Sequence, residues 1–277
     1  MTRAYLTDAR LRALAARLSD RDYAVLREVA SLRFVSGSQI ARLCFAESGE
    51  PTPDFRAARR ALLRLTQLDL LDRLPRRVGG VRRGSAGFVY HLGPAGQRLG
   101  IQRGWLPKRR VRQPSFPGQL FVRHTLAIAE LHARLVEAAR LGRFELLARE
   151  SEPTCWRSFE GDVLKPDSYV RLGLGEFEDS YFIEVDRGTE GSRAIGRQLE
   201  RYLSYFQSGQ EQAERGVFPK VLWLATEPSR GEGIAELIKH LPGTDRELFA
   251  VADFDDGMNV IEGLHTPAYN TSANKPA

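Results

Sequence analysis

The sequence predicts an α+β protein of two modules, a basic helical domain closed by a β-hairpin and an α/β domain built on a central mixed sheet. Three observations lead to this. Residues 1–114 carry 23 Lys and Arg against 9 Asp and Glu, whereas residues 115–277 carry 18 against 26. Three short amphipathic helical segments precede two strand-like segments around a glycine-rich turn. A long helical segment then opens a stretch in which strands and a further helix alternate, the pattern of a layered α/β unit. The boundaries read as 1–100 for the first domain, 101–120 for a basic linker, 121–262 for the second domain and 263–277 for a disordered tail.

At 277 residues, 42% hydrophobic and 27% charged, the chain has material for two cores. No apolar run approaches the roughly 20 residues that span a bilayer. The N-terminus, MTRAYLTDARLRALAARLSDRD, is broken by charges and has no signal-peptide pattern. A cytoplasmic protein with no membrane partner is expected. Cys44 and Cys155 match no metal spacing and sit among apolar residues, so both read as buried free thiols. The overall charge of +6 averages a half at +14 and a half at −8. A polyanion-binding module joined to a carboxylate-bearing one has this distribution.

Residues 7–18 read as a lead-in helix. Ser19 is the expected N-cap of the next, with Asp22 in its first turn and Val25, Leu26 and Val29 on its apolar face. A second helix, capped by Ser36 or Ser38, carries Ile40 and Leu43. The third opens on Thr52 as N-cap and Pro53 at its first position. Phe55, Ala58, Leu62 and Leu65 form its packing side, while Arg56, Arg60 and Arg64 recur every four residues with Arg59 beside them. Solvated helix faces usually mix signs, so an all-positive stripe suits a recognition helix on DNA. Strand-like segments at 70–78 and 88–92 flank Gly79, Gly80, Arg82, Arg83 and Gly84. Three helices and a hairpin with a basic tip form the winged helix-turn-helix layout, in which Arg82 and Arg83 would meet the DNA backbone or minor groove.

The second domain is expected to contain a helix over 121–141, strands at 144–148, 167–172, 181–185 and 217–225, and a helix over 192–214. Two of these strands bring carboxylates to one edge: Asp167, after Pro166, and Glu184 and Asp186, two residues apart. Residues at i and i+2 share one strand face, and like charges there are costly without a cation. A divalent metal held by Asp167 and Glu184 accounts for the cluster, although Arg187 or Arg193 could also neutralise it.

The helix-strand-strand-helix-strand order with Pro166-Asp167 and Glu184-x-Asp186 resembles the PD-(D/E)xK nuclease superfamily, which implies a restriction-endonuclease-like α/β fold. In that family the two acids hold Mg²⁺ and a Lys two residues beyond the second acid orients the attacking water. Asp167 and Glu184 match the acids. Asp186 stands where the Lys is expected. The resemblance makes Lys220, which opens the last expected strand, the best substitute cation. It makes Glu130, on the first helix of the domain, a candidate third metal ligand. Gln198 and Tyr202 are similar to the QxxxY element of RecB-like nucleases. Over residues 19–260, RHTLAIAEL, LKPDSY, FIEVDRGTE, LERYLSYF and FPKVLWLAT together resemble the replication-relaxation family of plasmids and other mobile elements.

These readings imply a double-stranded DNA-binding accessory protein of mobile-element replication or relaxation, with a relaxase or replication protein as partner. Its nuclease-like domain would lack the usual Lys. The alternatives are an active Mg²⁺-dependent endonuclease using Asp167 and Glu184, with Asp186, Lys220 and Gln198 beside them, and a winged-helix transcriptional regulator. Winged-helix proteins often act as homodimers on palindromic sites, but no heptad or self-complementary patch in this chain decides that point.

Overall fold

A computed structural model of the protein describes residues 7–47, 52–74, 87–108, 117–263, 267 and 269. The chain divides into two units, Met1–Leu141 and Gly142–Ala277. Among the described residues no helix is long and apolar enough to cross a membrane.

The first unit begins with α1 (Asp8–Ala15), capped by Thr7, and α2 (Asp20–Leu32). Ser19 and Asp22 form the capping box that starts α2: each side chain accepts from the other residue's backbone N–H. Strand β1 (Val35–Ser36) leads into α3 (Gly37–Cys44), where Ser36, rather than Ser38, is the cap, in a second box with Gln39. Helix α4 (Phe55–Gln67) starts two residues later than its sequence suggests. Its cap is Asp54, whose Oδ1 accepts from the Arg56 and Ala57 N–H groups at 2.9 Å each. A carboxylate this close to two first-turn donors outcompetes the Thr52 hydroxyl two residues upstream. Strands β2 (Leu71–Arg73) and β3 (Val89–Leu92) join β1 in an antiparallel sheet of order β1-β3-β2. The elements of the unit thus far run α1-α2-β1-α3-α4-β2-β3. Arg82 and Arg83, assigned to the hairpin tip, lie outside the described residues.

Two helices complete the unit. The sequence pattern missed α5 (Pro94–Gln102), which Pro94 opens and which approaches β2 through Gly96. A Cβ there would meet the Leu70 carbonyl oxygen at 2.1 Å, so the site requires glycine. Helix α6 (Gln119–Arg140) packs on α3, β1 and α2, so the boundary between units falls after it and not before. The cause is electrostatic as well as apolar. Arg42 of α3 grips Glu137 with Nε and Nη2 at 2.7 and 2.6 Å, and its Nη1 reaches both Glu130 oxygens at 2.7 and 2.8 Å.

The second unit is a five-stranded mixed sheet. In chain order its elements are β4 (Glu145–Ser151), the hairpin β5 (Arg157–Phe159) and β6 (Asp162–Leu164), β7 (Ser168–Leu174) and β8 (Phe177–Asp186). There follow α7 (Ser192–Ser208), α8 (Gln210–Arg215), β9 (Lys220–Ala225), α9 (Pro228–Lys239), α10 (Gly243–Arg246), β10 (Phe249–Asp253) and α11 (Gly257–Ile261). The sheet order is β10-β9-β8-β7-β4, parallel through β10-β9-β8 and antiparallel through β8-β7-β4. The helix expected over 192–214 is two helices, because Gly209 adopts φ +68° and ends α7. One sheet face is covered by a single core in which Phe182, Val221, Trp223 and Val251 meet Ile195, Leu199, Tyr202 and Tyr205 of α7 and Ile234 and Ile238 of α9. Within the segment expected to be a disordered tail, Tyr269 is ordered. Its hydroxyl lies 3.1 Å from Asp253 Oδ1 and its ring covers Gly231.

One of the four α4 arginines serves the fold. Arg64 Nη2 lies 2.6 Å from Oδ1 of Asp22, which is only 2% exposed. Burial raises the Asp22 carboxyl, but Arg64 and the Ser19 N–H and hydroxyl outweigh it and hold the group below its usual value. A carboxyl depressed in this way stabilises the fold fully above the unfolded carboxylate range, and the contribution is lost as pH falls through the lowered folded value. With Arg64 nearly half exposed, Arg64→Ala is expected to cost about 1 kcal/mol. Hydrogen exchange in α2 reads this directly. Protection equal to the wild type would detach Asp22 from α4.

Candidate functional site

The site in the second unit follows from strand register. Ser168 at the start of β7 pairs with Ile183 of β8, so Asp167 and Glu184 are the next positions along the same ladder. Pro166 and Asp167 have not yet entered the strand, and the Asp167 carboxylate turns onto β8, where Oδ2 accepts the Val185 N–H at 2.8 Å. Glu184 pairs in the other direction with Trp223 of β9. Its side chain therefore points to the face covered by α7. There Tyr202 donates its hydroxyl to Oε1 at 2.5 Å, and Gln198, one turn earlier, also hydrogen-bonds the carboxylate. The i, i+4 spacing of Gln198 and Tyr202 puts both on one side of α7. The structure thus brings together Asp167, Glu184, Gln198 and Tyr202.

Electrostatics single out Glu184. It is 4% exposed, and burial pushes its carboxyl well above the usual range, with the charge of Asp167 adding to the rise. The hydrogen bonds from Tyr202 and Gln198 favour the ionised form and oppose this. Tyr202, fully buried against the same carboxylate, is raised as well. Cys155 lies beneath the pair, with its thiol donating to the Pro166 carbonyl at 2.9 Å. Burial pushes that thiol far up, and the charges of Glu152, Asp167 and Glu184 add to it, which favours the protonated form that donates to Pro166.

Asp186 does not join the carboxylate pair. It shares the strand face of Glu184 but lies at the strand end, where Arg230 of α9 clamps it from Nε at 2.8 Å and Nη2 at 2.7 Å. The Gly188 N–H adds a third bond at 2.8 Å. The cation that neutralises Asp186 is therefore Arg230, not Arg187 or Arg193. No spacing signal announced it, because it comes from a helix that the sequence pattern missed.

Two other expected participants stand elsewhere. Lys220 pairs with Tyr181 at the opening of β9, three residues before Trp223. An odd offset puts it on the opposite face from Glu184, and three residues of strand put it about 10 Å along the sheet. It is not a substitute for the missing Lys. Glu130 belongs to the first unit, where it accepts from Arg42, from Gln39 at 3.2 Å and from Arg134 at 3.3 Å. These partners outweigh burial and hold its carboxyl below the usual value, so its charge is committed to the α3–α6 contact. The acid that register does place beside Asp167 is Glu152, which follows Ser151, the partner of Ser168. Among the described residues, no three His, Cys, Asp or Glu side chains form a metal-ligating cluster.

The expected arginines are on the exposed face of α4. Arg56, Arg59 and Arg60 are exposed and make no ion pair among the described residues, whereas Arg64 is tied to Asp22. Leu63, half exposed, lies among them, and Phe55 is equally exposed in the first turn.

A buried carboxyl whose folded value lies above its unfolded one costs stability as pH rises from the unfolded range through the folded one. Glu184→Gln is therefore expected to stabilise the second unit at neutral pH, a gain that vanishes as pH falls into the ordinary carboxylate range. Thermal unfolding across pH measures it. A destabilised variant at neutral pH would mean that Glu184 is not held against its own charge.

Comparison with known proteins gives three findings. No curated protein matches the chain. Among solved structures, the restriction endonuclease FokI is 11% identical over 89% of this chain and 44% of its own length, with a TM-score of 0.25. The chain thus spans less than half of FokI, and a likeness at that level carries no argument. The model of the replication-relaxation family matches residues 26–221, well over half of the 277 residues. On that match, joined to the order of helices, strands and acids just described, the chain belongs to the replication-relaxation family.

Proposed function

We propose that the protein is a DNA-binding accessory factor in the replication or relaxation of a plasmid or other mobile element, and that α4 is its contact with double-stranded DNA. The observation that carries this reading is the trio Arg56, Arg59 and Arg60, exposed on one arc of α4 without an ion pair among the described residues. Like charges one helical turn apart repel, and a polyanion converts that cost into binding through counterion release. Arg82 and Arg83 would extend the contact from the hairpin tip. A relaxase or replication protein is the protein partner that family membership suggests, and a homodimer would suit a palindromic site.

A second reading, a Mg²⁺-dependent endonuclease, is favoured by one observation: the buried pair Asp167 and Glu184, whose mutual repulsion a dication would relieve. Hard oxygen ligands of this kind suit Mg²⁺, and Asp167 and Glu184 would hold it. When bound, the ion supplies Lewis-acid stabilisation and a water of lowered pKa for attack on a phosphodiester. The chain's own residues set the ligands: the Val185 N–H fixes Asp167, while Tyr202 and Gln198 orient Glu184. Against efficient cleavage stand Asp186 in place of the usual Lys, its pairing with Arg230, and Lys220 on the wrong sheet face. Loss of one electrostatic stabiliser costs about 10²–10³ in rate. DNA binding therefore ranks first.

Two measurements test the readings. Arg56→Ala with Arg60→Ala is expected to weaken duplex binding and reduce the log–log salt slope by about 1.8; an unchanged slope would remove α4 from the interface. Supercoiled plasmid incubated with the protein in EDTA, Mg²⁺ or Mn²⁺ is expected to shift in a gel without strand cleavage. Metal-dependent nicking that Asp167→Ala abolishes would instead establish the second reading.

A further inference from the structure

Beside α4, on the strands that lead into the hairpin, lies a stacked pair that the recognition-helix reading does not use. Arg73 of β2 places its guanidinium over the ring of Phe88, 4.6 Å from the centroid. Phe88 is 45% exposed, so the stack lies at the surface and not in the core. Arg73 pairs across the ladder with Tyr90, and Phe88 precedes Tyr90 by two residues, so all three share one face of the sheet. That face adjoins α4. The Tyr90 ring, the Leu62 side chain and the Phe88 carbonyl converge on Gly37, where a Cβ would meet them at 3.4, 3.7 and 3.9 Å. Burial raises the Tyr90 hydroxyl, while the charges of Arg73 and Arg59 oppose that rise.

Stacking has a chemical consequence. With a phenyl ring against its face, a guanidinium keeps its in-plane N–H edge for donation, and that rigid fork matches two oxygens of a phosphate. Among the described residues the Arg73 guanidinium makes no hydrogen bond and no ion pair, so those N–H groups have no acceptor there. A stacked arginine has also lost its side-chain freedom before any ligand arrives, which lowers the cost of binding one.

We propose that Arg73, held by Phe88, is a preorganised clamp for a DNA backbone phosphate at the root of the hairpin. The clamp rests on the reading of α4 as the duplex contact and extends it along the strands, in a part of the hairpin distinct from its tip. Arg73 makes the contact. Phe88 is a positioning residue that acts through it.

The test is fluorescence anisotropy of a labelled mixed-sequence duplex titrated with the full chain over a range of salt. Arg73→Ala is expected to weaken binding about tenfold and to lower the log–log salt slope by about 0.9. Phe88→Ala alters no charge, and it is expected to weaken binding about threefold in the wild type yet not at all in the Arg73→Ala background. Phe88→Tyr, which keeps the ring, should bind as the wild type does. Hydrogen exchange in β3 checks that each variant retains its strand. If Arg73→Ala binds with unchanged affinity and slope while the Arg56/Arg60 double variant is weak, the clamp is overturned and the α4 contact stands. If neither variant loses affinity, both ideas fail. If Phe88→Ala costs as much without Arg73 as with it, the coupling is wrong and Phe88 does not act through the arginine.

Discussion

The second unit is organised around one desolvated carboxylate. Glu184 is buried beneath α7 with Asp167 as its neighbour along the ladder, an arrangement that costs free energy in proportion to how fully water is excluded. It persists because several elements converge on it. The β7–β8 register sets Asp167 beside it, the Val185 N–H keeps that second carboxylate turned onto β8, and α7 delivers Tyr202 and Gln198. The same tyrosine packs at 5.9 Å from Phe182 and 6.2 Å from Phe249, so the aromatic core that holds α7 on the sheet also aims the hydroxyl. Shifting β8 by one residue would turn Glu184 to the other face and leave Tyr202 without its acceptor.

Local charge balance separates the two functional readings. At the position two beyond Glu184, a lysine would leave a mobile ammonium at the sheet edge. This chain has Asp186, and an arginine from α9 locks it with two bonds while also donating to the Glu190 carbonyl at 2.8 Å. The guanidinium is thereby spent on fastening the β8–α7 connection to α9. In the first unit the balance tips the other way. Asp22 takes up one arginine of α4, and the rest of the stripe keeps its charge.

Much of this was legible in the sequence, and what was not has physical reasons. Ser19 with Asp22 and the apolar spacing of Val25, Leu26 and Val29 announce α2 because capping and periodicity are local. So are the alternation in β8 and the i, i+4 placement of Gln198 and Tyr202. The start of α4 was misplaced because Thr52, Pro53 and Asp54 all carry start signals, and only the geometry of the Asp54 carboxylate decides among them. The place of α6 in the first unit is not legible locally, because its tie to α3 runs through Arg42 to Glu130 and Glu137, some ninety residues along the chain. Arg230 and Glu152 were invisible for a similar reason: one comes from a helix with weak periodicity, the other from a register that only the paired strands define.

Tyr269 and Gly231 carry a practical consequence for handling the molecule. The tyrosine ring rests on α9 where any side chain larger than hydrogen would collide with it, with its ring carbon 2.4 Å from where a Cβ would stand. Its backbone N–H reaches the Val251 carbonyl at 3.4 Å and its hydroxyl reaches Asp253, so this residue is fastened to the outer strand of the sheet. Trimming the chain before position 269 would uncover that stretch of α9 and bare the rim of β10 to water. An affinity tag or fluorescent fusion is best joined beyond it, where the seat of the ring is left undisturbed.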